Sequence, residues 1–142
     1  MQLTKNILLE ELIPKSTWLK YGDKGVWFID WGIVTFIQTL RDHLGKPITI
    51  NNWHISGPLQ YRGFRPPECT EGAAMSQHRF GRGVDLSVNG VMTDELASVI
   101  TEYRKEKWPQ VTCIENIRYT ATWCHCDTRR TGMEELLIVD PV

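Results

Sequence analysis

Apolar and polar residues follow two rhythms along this chain. In WGIVTFIQTLRDHL, residues 31–44, Ile33, Phe36, Ile37, Leu40 and Leu44 return at three- and four-residue steps. That spacing lines one face of an α-helix and predicts a helix here. Asp30 can cap its start and Gly45 can close its end. A second helix is expected over DELASVITEYRKEK, capped by Thr93, with Asp94 and Glu95 in its first turn and Pro109 just beyond its end. Shorter apolar runs predict strands at Pro47–Trp53, Gly83–Val88, Val111–Ile117 and Thr122–Thr128, the last two joined by a short turn. Residues 1–29 hold a short apolar helix and then a segment, Ser16–Tyr21, that stops at Gly22. Between His54 and Ser76 both rhythms give way to Gly, Pro and Arg. Long loops of this kind in compact domains are usually functional or disordered. The sum is one α+β domain over residues 1–142: an N-terminal cap (1–29), a core (30–130) and a tail (131–142). Its sheet is expected to be small and mainly antiparallel, with flanking helices.

A chain of 142 residues suits one domain and can bury roughly two-thirds of its unfolded surface. The net charge of −1 gives no electrostatic case for nucleic acid or for an anionic membrane. No stretch approaches the ~18 apolar residues of a membrane span. MQLTKNILLEELIPK carries acids within its apolar run and lacks the form of a signal peptide. The expectation is a soluble protein made in a cytoplasm, with Cys69, Cys113, Cys124 and Cys126 reduced. Six tryptophans suit a packed core, and also a groove for a flat or sugar-bearing ligand.

The chemistry concentrates in SQHRFGRGVDL, residues 76–86. Asp85 sits in an apolar strand seven residues after His78, an arrangement that a metal would explain. Gly81 and Gly83 allow the tight turn that would bring the two together. A third ligand has to come from elsewhere. His43 lies on the polar side of the first helix, His54 follows a strand, and His125 sits in the strand segment TWCHCDT. Alternation puts Trp123, His125 and Asp127 on one face of that strand and Cys124 and Cys126 on the other. The cysteines form no C-x2-C pair, which argues against a structural zinc site made from them. Glu115, in the preceding strand, shares the face of His125 if paired positions sum to an even number, and turns away if they sum to an odd one.

SQHRFGRGVD resembles the S-x-H-x-x-G-x-x-x-D segment of the zinc D-Ala-D-Ala carboxypeptidase and L-alanyl-D-glutamate endopeptidase family. TWCHCD resembles the W-x-H-x-D segment of its phage and bacterial branch, and Tyr61-Arg-Gly-Phe-Arg65 resembles the loop upstream. The match spans roughly residues 35–130. The resemblance implies the hedgehog/DD-peptidase fold, one zinc ion per chain held by His78, Asp85 and His125, and cleavage of peptidoglycan stem peptides in bacterial cell walls. It also fits an endolysin-like enzyme, released to the wall or carried on a phage particle. Many members carry an acid three positions before the last histidine, where this chain has Thr122. Glu115 is then the candidate general base, and Asp127 the second choice or a partner that orients a ligand imidazole. Arg62 and Arg65 are candidates for binding substrate carboxylates or a developing oxyanion, Ser76 and Gln77 for binding substrate backbone, and Trp123 for walling the groove. Thr122 keeps a second reading open: an inactive wall-binding or phage structural domain of the same fold.

Overall fold

The computed structural model describes residues 1–141. It is an α+β fold with a mixed four-stranded sheet. The helices are α1 (Lys15–Tyr21), α2 (Trp31–Leu44) and α3 (Thr93–Lys107). The strands are β1 (Gly83–Leu86), β2 (Cys113–Glu115), β3 (Cys124–Asp127) and β4 (Leu137–Val139). Sheet order is β1-β3-β2-β4. β3 pairs antiparallel with both β1 and β2, whereas β4 runs parallel to β2.

Helix α2 forms where its apolar spacing predicts. Asp30 caps it, its side chain accepting from the Gly32 N–H, and Gly45 closes it in the left-handed conformation. Its buried face, Ile33, Phe36, Ile37 and Leu40, joins Leu96 and Ile100 of α3 in the main core. Val84, Leu86, Ile114, Cys124 and Cys126 reach the same core from the even-numbered face of the sheet. Phe36 meets Trp108 edge to face, with centroids 5.9 Å apart. Helices therefore cover one face of the sheet, and the other face is left for chemistry. Residues 1–29 are part of this packing, since Ile7 and Leu12 lie in the main core.

Several expected elements differ. The sheet is mixed rather than mainly antiparallel, because Leu137–Val139, expected as tail, adds a parallel edge strand. The apolar triplet was too short for its strand to stand out by periodicity. Pro47–Trp53 forms no regular strand. Only Thr49 bridges to Ser87, and Trp53–Ile55 turn into a 3-10 helix. Asn51 and Asn52 use their side chains to accept from the backbones of Arg62 and Leu59, which replaces a ladder with turn bonds. Met92, not Thr93, stands at the N-cap of α3, and the Thr93 hydroxyl donates instead to Ala121 O.

Candidate metal centre

The odd-numbered face of the sheet carries the candidate site. Asp85 of β1 pairs directly with His125 of β3. β2 pairs Cys113 with Asp127 and Ile114 with Cys126. Odd positions of β2 and β3 thus share a face, and the next step of that register sets Glu115 beside His125. This is the even register that the sequence left open. Asp85, His125 and Glu115 fall in one row across three strands.

His78 arrives from outside the sheet, on the 3-10 turn Gln77–Phe80 that leads into β1. Gly81 ends the turn at φ 67°. A Cβ there would lie 1.6 Å from Phe28 O, so glycine alone lets the turn press against residues 28–30. The Gly81 carbonyl accepts from Asp30 N at 2.9 Å, which fastens the approach. His78 Nε2 then stands 3.2 Å from Asp85 Oδ1, and His125 Nδ1 stands 2.9 Å from the same oxygen. One ligand atom from each of the three residues lies within 4.8 Å of the others. All three side chains are buried.

The remaining ring nitrogens are tied down. His78 Nδ1 lies 2.8 Å from Gly63 O. A carbonyl can only accept, so Nδ1 donates to it and Nε2 is the nitrogen that faces Asp85. His125 Nε2 lies 2.9 Å from Asp127 Oδ2. Asp127 is itself held by Arg129, whose Nε and Nη2 donate at 2.8 and 2.6 Å. Arg65 Nη2 donates to Asp85 Oδ2 at 3.2 Å while its Nε donates to Tyr61 O. Ligand imidazoles anchored in this way through the second nitrogen are a hallmark of metal sites.

The electrostatics of the cluster are steep. Burial works against ionisation of Asp85, yet His78 and His125 outweigh it and hold the carboxyl well below its usual range. Burial likewise opposes an imidazolium at His125, but hydrogen bonds to Asp127 and Asp85 push its pKa up to about 10. Burial also opposes charge on Asp127, and His125 and Arg129 together hold its pKa low. Without a metal, His125 is an imidazolium that donates Nδ1–H to Asp85 and Nε2–H to Asp127. A divalent cation can replace that proton at Nδ1, and two imidazoles with one carboxylate suit such an ion. The donor set and its anchoring therefore fit a metal, and the buried His78–Asp85–His125 group could hold one.

The donors open onto a cleft of ≈ 730 Å³ whose walls include Arg65, Ser76, Gln77, Glu115, Trp123 and Arg129. Five of the candidate residues named from the sequence thus line it beside the ligands. Two do not. Arg62 points its guanidinium at Ser87 Oγ, 3.0 Å away, and only its carbonyl serves the site, accepting from Asp85 N. Asp127 is fully buried with both carboxylate oxygens engaged, so it anchors His125 rather than facing the cleft. Arg65 is bound to a ligand carboxylate, which makes it a positioning group as well as a wall. Arg129 was missed, although its place two residues after Asp127 in the same strand exit was a usable signal. The segment Val139–Pro141, read as tail, also lines the cleft. His43 instead packs on Tyr103 and Trp108, and His54 lies in a separate groove with Arg41. Cys124 and Cys126 face the core. Among the described residues, no helix is long and apolar enough to cross a membrane. Comparison of the chain with family models, with curated proteins and with solved structures found no match.

Proposed function

We propose that this protein is a zinc-dependent peptidase of the hedgehog/DD-peptidase fold, which hydrolyses peptide bonds of bacterial peptidoglycan stem peptides. One observation carries the reading: three buried donors from separate segments converge on the floor of an open cleft, with a free-standing acid, Glu115, in the same row. A zinc ion held by His78, Asp85 and His125 would keep a net charge of +1, polarise a substrate carbonyl and lower the pKa of a bound water toward ~7. Glu115 accepts a proton from the attacking water and delivers it to the leaving amine. Arg65 and Arg129, already paired with Asp85 and Asp127, line the cleft where the carboxylates of stem peptides would lie. Ser76 and Gln77 offer hydrogen bonds to substrate backbone, and Trp123 shields one side from water.

The test pairs metal content with wall hydrolysis. Wild-type protein prepared without chelator is expected to hold one zinc per chain and to hydrolyse purified cell walls. Glu115→Gln keeps the zinc and loses about 10²- to 10⁴-fold in rate. His125→Ala loses both. A wild type that binds no divalent metal with zinc supplied would sink the proposal. Thr122, exposed and without a carboxylate where many similar enzymes have an acid, supports a second reading: a metal-holding domain that binds wall peptides without cutting them. Zinc-loaded wild type that binds walls but releases no new amino groups would favour it.

A further inference from the structure

Gln77 lines the cleft and precedes the candidate ligand His78 in the chain. A glutamine amide can meet a ligand in two ways: its Oε1 end accepts, and its Nε2 end donates two hydrogens. A residue outside the cleft makes the choice. Arg82 Nε donates to Gln77 Oε1 at 2.6 Å, and Arg82 is not among the residues that line the cleft. A guanidinium has no acceptor, so turning the amide round would forfeit this bond. Nε2 is the end left over. Among the described residues it has no hydrogen-bond partner, and it is not sealed from solvent.

Arg82 is itself held in place. Its backbone N–H donates to Gln77 O at 3.2 Å, and its carbonyl accepts from Thr128 N at 3.0 Å, just past the end of β3. Its guanidinium lies over the Phe80 ring, with Cζ 5.2 Å from the centroid. Gly83 supplies the room beneath the glutamine. A Cβ there would come within 3.2 Å of Gln77 Cβ and 3.1 Å of His78 N, so a side chain at 83 would push the turn off the sheet. Gly83 pairs with Asp127, which places this contact on the odd-numbered face that carries the metal ligands. Turn, strand and arginine together fix both the place of the amide and its orientation.

We infer that Arg82 is a positioning residue: by holding Oε1 it makes Gln77 a donor-only group beside the metal, so that the cleft selects ligands presenting an acceptor oxygen there, a carbonyl or a carboxylate. A peptide backbone carries both donors and acceptors, and a free glutamine would serve either. The locked amide serves only the oxygen. The inference rests on the metal reading of His78, Asp85 and His125. It rests on the peptidase reading only for the step of calling that oxygen a substrate carbonyl.

The experiment uses two small metal-binding probes. Protein loaded with cobalt(II), whose visible absorption follows the metal, is titrated separately with acetate and with imidazole. Acetate offers only acceptor oxygens. Imidazole takes the metal through nitrogen and offers no acceptor oxygen, so it reports damage to the metal site alone. Arg82→Glu would accept from Nε2 and turn Oε1 toward the cleft, and Gln77→Leu removes the donor. Each is expected to weaken acetate about tenfold and to leave imidazole unchanged. Arg82→Lys, which can still donate to Oε1, is expected to restore acetate binding to within about twofold. Acetate affinity indifferent to both Arg82→Glu and Gln77→Leu would overturn the inference. So would parallel losses for both probes, which mark a merely structural role, or cobalt-loaded wild type that ignores acetate. A wild type that takes up no cobalt removes the metal reading and this inference with it. The expected probe pattern in a protein that leaves cell walls uncut would keep the positioning role and defeat the peptidase reading.

Discussion

Asp127 has no exposed surface, and its charge is spent on two neighbours, His125 and Arg129. Its carboxylate accepts from His125 Nε2 and so leaves Nδ1 free for an ion. An Asn there could present its N–H2 group to Nε2 and favour the wrong tautomer. Asp127→Asn is therefore expected to lower zinc affinity about 10- to 100-fold with the fold intact, measured by competition with a chromophoric chelator. An unchanged affinity would mean that His125 Nδ1 is not a ligand. The same residues set the pH dependence. In the metal-free fold His125 is raised from 6.5 to about 10, so its ion pairs stabilise fully below pH 6.5 and are lost as pH rises through about 10. Asp127 is lowered, so its contribution is present above its ordinary value of 3.8 and is lost as pH falls below it. Zinc competes with the His125 proton, and its affinity rises over the range where the proton leaves. The zinc-induced rise in Tm should be larger at pH 8.5 than at pH 6.5. A pH-independent increment would contradict the assigned ligand.

At the scale of elements, the site depends on how a turn meets a sheet. Odd positions of β1, β2 and β3 present Asp85, Glu115 and His125 because the two ladders share β3 in compatible registers. Period-two alternation made the face of each strand legible, but the register between β2 and β3 was not, since no local pattern states where a turn ends. The turn carrying His78 is the second requirement. Gly81→Ala would place a methyl 1.6 Å from Phe28 O and force the turn away from residues 28–30. A loss of about 2–3 kcal/mol in denaturant unfolding is expected, together with weaker zinc binding. Gly45→Ala, with a similar φ of 61° but open space around its Cβ, is expected to cost about 1–2 kcal/mol and to leave zinc binding alone. Equal zinc affinities in the two variants would show that the turn does not set the site. Helix α2 was legible end to end, because its cap, its apolar stripe and its terminal glycine agree. Pro47–Trp53 was not, because the asparagine side chains compete for the backbone in a way that hydropathy does not register.

For the whole molecule, one face of the sheet is closed by helices and the other is held open by loops, with a cluster of charges at its floor. Zinc at about 100 times its Kd would stabilise the fold by about 2.7 kcal/mol. For a domain of this length that corresponds to a rise in Tm of roughly 5–10 °C. EDTA is expected to reverse the rise, and His78→Ala and His125→Ala are expected to abolish it. A Tm blind to zinc in wild type would remove the metal from the account. The sequence by itself determined the residue types and their local order: a histidine and an acid around a glycine turn, a second histidine beside an acid in an alternating strand, and α2 as the core helix. Those are local properties, readable from spacing and side-chain chemistry. Only the tertiary structure decided that Glu115 joins the row, that Arg62 leaves the site and Arg129 enters it, that Asp127 anchors rather than faces the cleft, and that the tail supplies an edge strand. Each of these depends on strand register or on contacts between distant segments, and no window of sequence contains both partners.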